Sequence, residues 1–329
     1  MTSSCPAISV VLTTDCYETI RPVVHCLRAQ TVKDQLELVI VAPDRGSLNL
    51  DESELRELAG VRVVEVGSIE PFPAARAAGV REASAPVVVI GETHSYPAPD
   101  WAEALIKAHG QRWAVVAPGF GNANPDGALS WAIFLLDYGR WFGGLPAGEI
   151  TVAPTHNASY KREVLLALGP ALETALSHDD QLILYFHARG HRSYFEPAAK
   201  IDHLNISRPG PWLEERFLCG LLIAAHRVAR WPWHRRLLYM AGAPLIPIVV
   251  LSRTWKGMRL ALRQERLPAG TIPAILVGAV IAAVGEAVGY ARSAGRAAEL
   301  QMTEYELHKV RYAPREARSL LSPARDHPG

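Results

Sequence analysis

Two short stretches hold side chains that could do chemistry. The first is Glu92-Thr93-His94, which follows the apolar run Val87 to Ile90 and precedes a turn with prolines at 97 and 99 that closes on Trp101. A carboxylate and an imidazole two positions apart on a turn could both face one divalent ion. Imidazole suits Mn2+, Fe2+, Co2+ or Zn2+ better than Mg2+, which prefers oxygen. The second stretch is Asp179-Asp180, at the head of the amphipathic segment 181 to 188. A carboxylate can serve as a general base toward a hydroxyl, although an aspartate in a first helical turn also serves the helix dipole alone. Other histidines, at 109, 156, 187 and 191, carry no such pattern.

The elements that must hold these residues alternate. Apolar runs predict strands at 7 to 14, 36 to 43, 61 to 66, 87 to 90 and 113 to 118, with helices at 18 to 30, 51 to 59, 76 to 83 and 99 to 109 between them. This alternation means right-handed βαβ units and a mostly parallel α/β sheet flanked by helices. The run at 87 to 90 is continuous rather than alternating, as in a strand covered on both faces. Glu92 and His94 then lie at the carboxyl edge of the sheet, where open α/β sheets bind ligands.

Several classes are disfavoured. The strand-to-helix passage SVVLTTDCYETI has no glycine where a dinucleotide pyrophosphate needs close backbone approach, and GFGNANPDG has Asn124 in place of a third glycine. With 34 basic and 33 acidic residues the chain offers no electrostatic footprint for nucleic acid. The four cysteines show neither CxxC pairing nor a disulfide framework, and no charged-then-apolar leader opens the sequence. These features point to a reducing, cytoplasmic setting, in which the sequons at Asn157 and Asn205 read as chance.

Taken in order, the motifs over residues 7 to 205 resemble those of the family 2 glycosyltransferases. That family places an Asp-x-Asp after the fourth strand, then a turn of the form xxPxPxWL; counting back from Trp101, the slot falls on Glu92 and His94. Downstream, Asp179, Leu182, Gly190, Pro197, Ala199 and His203 match in order the acid, leucine and GxxxxxxPxAxxxH ending. Asn157 to Glu163 resembles the Asn-x-x-x-Arg-Arg stretch, and Arg76 matches the arginine of ARNxG. The departures are Thr13 to Cys16 in place of PTYN, Asp44-Arg45 in place of a paired acid, and His178 in place of the first of two acids.

The resemblance implies a GT-A fold and an inverting transfer from a nucleotide-diphosphate sugar without covalent intermediate. It implies donor contacts at Thr14, Asp44, Arg76 and Glu92, and a divalent metal, Mn2+ before Mg2+, held by Glu92, His94 and His203. Asp179 would be the general base, with Asp180 its substitute if the register slips by one. Two rivals are an inactive membrane-bound pseudo-glycosyltransferase and a nucleotidyltransferase, the latter disfavoured by the lack of a glycine-rich basic loop after the first strand.

The last third changes character. The sequence divides into a transferase domain at 1 to 207, an apolar and basic helical region at 208 to 300, and a polar tail at 301 to 329. Within the middle region, 267 to 285 is uncharged for 19 residues, enough to span a bilayer, whereas 237 to 251 is 15 residues with two prolines. The loop between them carries five bases and one acid, and the outer flanks are basic too. The positive-inside rule wants all three flanks in the cytoplasm, which re-entrant or in-plane helices satisfy. The expectation is therefore attachment to the cytoplasmic membrane face and a lipid-linked or membrane-proximal acceptor. The competing reading is a soluble helical subdomain buried in a homo-oligomer. Glu286, in an apolar helix, needs a partner in either case.

Overall fold

The computed structural model of the chain describes residues 5 to 177, 179 to 228, 231 to 292 and 294 to 314. These fall into two compact units that do not follow chain order: Met1–Gly121 with Leu145–Asp202, and Asn122–Gly144 with His203–Gly329. The second division lies inside a strand, between Asp202 and His203. The first takes an internal segment, 122 to 144, out of the sheet-bearing unit.

The sheet-bearing unit is the expected α/β architecture. Its elements begin with β1 (Ile8–Thr13), α1 (Tyr17–Arg28), β2 (Leu36–Ala42), β3 (Gly60–Glu65), α2 (Phe72–Glu82), β4 (Val87–Ile90), β5 (Ser95–Pro97) and α3 (Trp101–His109). After β6 (Val115–Asn122) and α4 (Ala128–Tyr138), which belongs to the other unit, come β7 (Gly148–Ile150), β8 (Ser159–Lys161), α5 (Arg162–Leu166), α6 (Leu172–Leu176), α7 (Asp179–Ala188) and β9 (Ser193–His203). The strand order is β3-β2-β1-β4-β8-β6-β9-β5, with β7 on β9. Strands β1 to β4 pair in parallel, while β8 runs antiparallel to both β4 and β6.

Burial follows position in the sheet. Every residue of β1, β2 and β4 is buried, whereas edge strand β3 is half open to solvent. Because β1, β2 and β4 are parallel, their carboxyl ends meet one edge, and the Glu92 turn leaves from it. The helix expected at 51 to 59 does not form; a single 3-10 turn, Glu52–Leu55, stands there. Its acids are drawn into other bonds. Asp51 accepts from the Ser53 amide at 3.0 Å, and Glu54 accepts from the Tyr17 hydroxyl at 2.7 Å, so side chains compete with the helical pattern. Helix α2 starts four residues earlier than expected, with proline tolerated in its first turn.

The other unit joins α4 to α8 (Pro209–Val228), α9 (Trp233–Gly242), α10 (Ile246–Gln264), α11 (Thr271–Ala291) and α12 (Arg296–Leu307). Helices α8 and α11 touch backbone to backbone. A Cβ at Gly220 would stand 1.9 Å from the Ala282 carbonyl oxygen, and one at Gly285 would stand 2.1 Å from that of Phe217. Small residues that admit such approach are the usual device of helix pairs in lipid. Glu286 has its partners: Tyr290 donates to it at 2.8 Å and Arg227 lies 3.3 Å away. Arg216, buried, reaches both oxygens of Asp137 at 2.7 Å and holds Glu215 at 2.6 Å.

The 237 to 251 segment is not the short element its prolines suggested. Pro244 and Pro247 occupy the first turns of a 3-10 element and of α10, so Trp233–Gln264 runs as 32 helical residues. It and Thr271–Ala291, of 21 residues, are long and apolar enough to cross a membrane. On α10, Ile248, Trp255 and Leu262 are exposed at seven-residue spacing and so form one stripe, with exposed Lys256, Arg259 and Arg263 on the same helix.

Candidate functional site

The site is built on the end of β4. Val87 to Ile90 are locked between neighbouring strands, so the chain that follows leaves the sheet at a fixed point, and Glu92, Thr93, His94 and Ser95 are all buried. A buried carboxylate needs hydrogen bonds. Glu92 Oε2 accepts from Asn157 Nδ2 at 2.6 Å and from Ser95 Oγ at 2.9 Å, and His94 Nε2 lies 3.6 Å from the same oxygen. Asn157 is fixed in turn. Its amide nitrogen donates to the Ile90 carbonyl at 2.7 Å, and its backbone sits at φ 60°, a left-handed conformation that asparagine tolerates better than most residues.

His203 closes β9 and is carried by that strand. One ligand atom each from Glu92, His94 and His203 lies within 4.8 Å of the others, and all three residues are buried. Among the described residues these three are the histidines and acids so gathered. One carboxylate oxygen and two imidazole nitrogens form a donor set of intermediate softness, which fits Mn2+, Fe2+, Co2+ or Zn2+ and leaves positions for phosphate oxygens. The three expected metal ligands are thus brought together.

The expected donor contacts are placed less uniformly. Thr14 follows β1 and Asp44 follows β2, so both stand at the same sheet edge as Glu92. The Thr14 hydroxyl donates to the Cys16 carbonyl at 2.8 Å, whereas Asp44 is exposed and caps the Ser47 amide at 2.8 Å. Arg76 is buried in α2, with its guanidinium 3.2 Å from His156 Nε2 and stacked over Phe72. Asp179 is the first residue of α7 and Asp180 the second; their side chains, and His178, lie outside the described residues.

Sequence reasoning matched Asn157 to a family stretch without seeing its bond to Glu92, and it missed Asn205. Asn157 and Asn205 each head a sequon, yet both are 1% exposed, so neither can accept a glycan in this fold; both bond to the gathered ligands instead. Their signal was position, beside the site motifs. His109 is buried against Ser159 Oγ at 2.8 Å and the Trp113 carbonyl at 3.3 Å, and burial pushes its pKa down to about 4. It is a neutral core histidine.

The family profile described as Glycosyl transferase family 2 matches residues 9 to 169. The match covers just under half of the chain and marks what this segment is similar to. The matched segment contains Glu92, His94 and Asn157 and stops short of Asp179 and His203. No curated protein sequence matches the chain. Among solved structures, a mannosyltransferase from Pyrobaculum calidifontis in complex with GDP-Man and Mn2+ is similar at 18% identity and TM-score 0.46, over 97% of this chain and 84% of that one. TarS residues 1–349 of S. aureus in complex with UDP is similar at 17% identity and TM-score 0.46, over 91% and 90%. GalNAc-T7 with UDP, GalNAc and Mn2+ is similar at 15% identity and TM-score 0.46, over 60% of this chain and 43% of that chain. The resemblance rests on the family match and not on these likenesses.

Proposed function

We propose that the protein is an inverting glycosyltransferase that moves a sugar from a nucleotide-diphosphate donor to a lipid-linked or membrane-proximal acceptor. The observation that carries this reading is the convergence of buried Glu92, His94 and His203 beside the carboxyl edge of the sheet. When bound there, a divalent ion would neutralise charge on the departing diphosphate as a Lewis acid. Glu92 supplies an anionic oxygen held in place by Asn157 and Ser95, and the two imidazoles supply neutral nitrogens. Such a mixed set favours Mn2+ over Mg2+. Asp179, opening α7, takes the proton from the acceptor hydroxyl as it attacks. Thr14, Asp44 and Arg76 remain the proposed donor contacts.

The helical unit supports a membrane acceptor. Its exposed apolar stripe on α10, bordered by bases, suits a helix lying in the interface of an anionic membrane on the cytoplasmic side. In calorimetry, Glu92→Ala and His94→Ala each abolish metal-dependent donor binding, and unchanged binding in both would sink the reading. Asp179→Asn keeps donor affinity but lowers transfer by about 10² or more, the usual size for losing a general base. If Asp180→Asn is instead the dead variant, the base is one residue further on.

A further inference from the structure

An imidazole binds a metal through the nitrogen that lacks a proton, and the partner of its other nitrogen decides which one that is. His203 has such a partner. Its Nδ1 stands 2.9 Å from Asn205 Oδ1, and Asn205 is itself buried in a network with Asn122, Asn124, Ser130 and Ser207.

The direction of each bond can be worked out from two backbone amides, which can only donate. The Asn124 amide donates to Asn122 Oδ1 at 3.1 Å, so that atom is oxygen. The Asn205 side chain reaches the same oxygen at 2.9 Å and must do so with its NH2 group. The same NH2 lies 3.0 Å from the His203 carbonyl, which can only accept, and this agrees. Independently, the Asn205 backbone amide donates to Asn124 Oδ1 at 2.9 Å, leaving Asn124 Nδ2 to donate to the Asn205 carbonyl at 2.8 Å. The oxygen of the Asn205 side chain therefore faces His203, so His203 Nδ1 carries the proton and Nε2 keeps its lone pair. The network accepts a cost for this orientation: Asn122 Nδ2 is buried without a partner.

The arrangement at His94 differs. Its Nδ1 meets the Thr93 hydroxyl at 3.2 Å, and a hydroxyl can give or take a proton, so this bond does not select a tautomer. The His203 ring is further held by Tyr138, whose ring centroid lies 4.4 Å away.

We infer that Asn205 is a positioning residue that locks His203 as the Nδ1–H tautomer and so presents Nε2 to a divalent cation. The inference rests on the metal-binding reading above. Its first test is nitrogen-proton correlation NMR of the metal-free full chain labelled at histidine, with the His203 signal assigned from His203→Gln. An Nδ1–H pattern is expected, and an Nε2–H pattern would overturn the inference. The second test is calorimetry with Mn2+ alone. Asn205→Ala should weaken binding 10- to 100-fold, the usual size for losing such a partner. Asn205→Asp, which keeps an acceptor toward Nδ1 but loses the NH2 bonds, should restore most of the affinity. If Asp is as poor as Ala, Asn205 is only packing and the proposal falls. If the wild-type chain does not bind Mn2+, the metal reading fails, and the tautomer is still decided by NMR.

Discussion

The two units of the chain bury opposite things. In the sheet-bearing unit the strands are sealed in apolar contacts, and among the described residues only Val61 and Leu184 are large apolar side chains left exposed. The helical unit leaves seventeen exposed, from Leu213 to Leu300, while taking Arg216, Glu215 and Glu286 inside. A scattered exposed leucine means little, but a concentration of this size marks a surface that meets something other than water. The difference teaches that the two units treat their apolar side chains oppositely: the first keeps nearly all of them inside, while the second carries many on its surface and pairs Arg216, Glu215 and Glu286 within.

Three experiments would break or sharpen that contrast, and their effects per substitution run from large to small. Arg216→Ala leaves the buried Glu215 carboxylate without the cation that holds it, and the exposed Asp137 without its two-point partner; stranding the buried charge should cost about 3–5 kcal/mol in denaturant unfolding of the purified protein. A loss below about 1 kcal/mol, the scale of an exposed pair, would mean that the helical interior is wet and the contrast false.

His109 tests the other unit. Its folded pKa, about 4, lies below the ordinary 6.5 because burial disfavours the charged ring. Below pH 6.5 the unfolded chain takes up a proton that the folded chain refuses, so stability is complete above 6.5 and falls as the pH drops toward 4. The loss across that window should be on the order of 3 kcal/mol at most. His109→Gln should flatten this part of the pH profile of unfolding, and an unchanged slope would place the loss elsewhere.

The smallest effect per residue concerns lipid. Lys256, Arg259 and Arg263 border the apolar stripe of α10, and each base near an anionic surface contributes about 1 kcal/mol. Replacing them one at a time by Ala should weaken flotation with phosphatidylserine vesicles roughly 5-fold per base. Binding that is indifferent to all three, or a stable detergent-free oligomer, would favour protein as the cover.

Much of this was legible in the sequence where one local signal sufficed. The apolar runs of β1, β2 and β4 announce doubly covered strands, and Glu92 and His94 stand where those strands must end. What was not legible depends on distant partners. The 51 to 59 segment has helical spacing, but its Glu54 is claimed by Tyr17 across 37 positions. Asn157 holds Glu92 from 65 residues away, and Asn205 meets Asn122 from 83 away. Polar residues buried as supports look, in sequence, like surface residues, because only the folded partner reveals the bond.

The excursion of residues 122 to 144 into the helical unit also sets an order of events during synthesis. Helix α4 is buried along Ser130 to Leu136, and Leu136 packs against Gly278 of α11. That cover leaves the ribosome about 140 residues later, a sequence separation of the kind that slows folding. At about 5–20 residues per second, α4 would wait roughly 7–30 s with its apolar face bare. The helical unit would then be the last part of the protein to close, although its first helix is made before the middle of the chain.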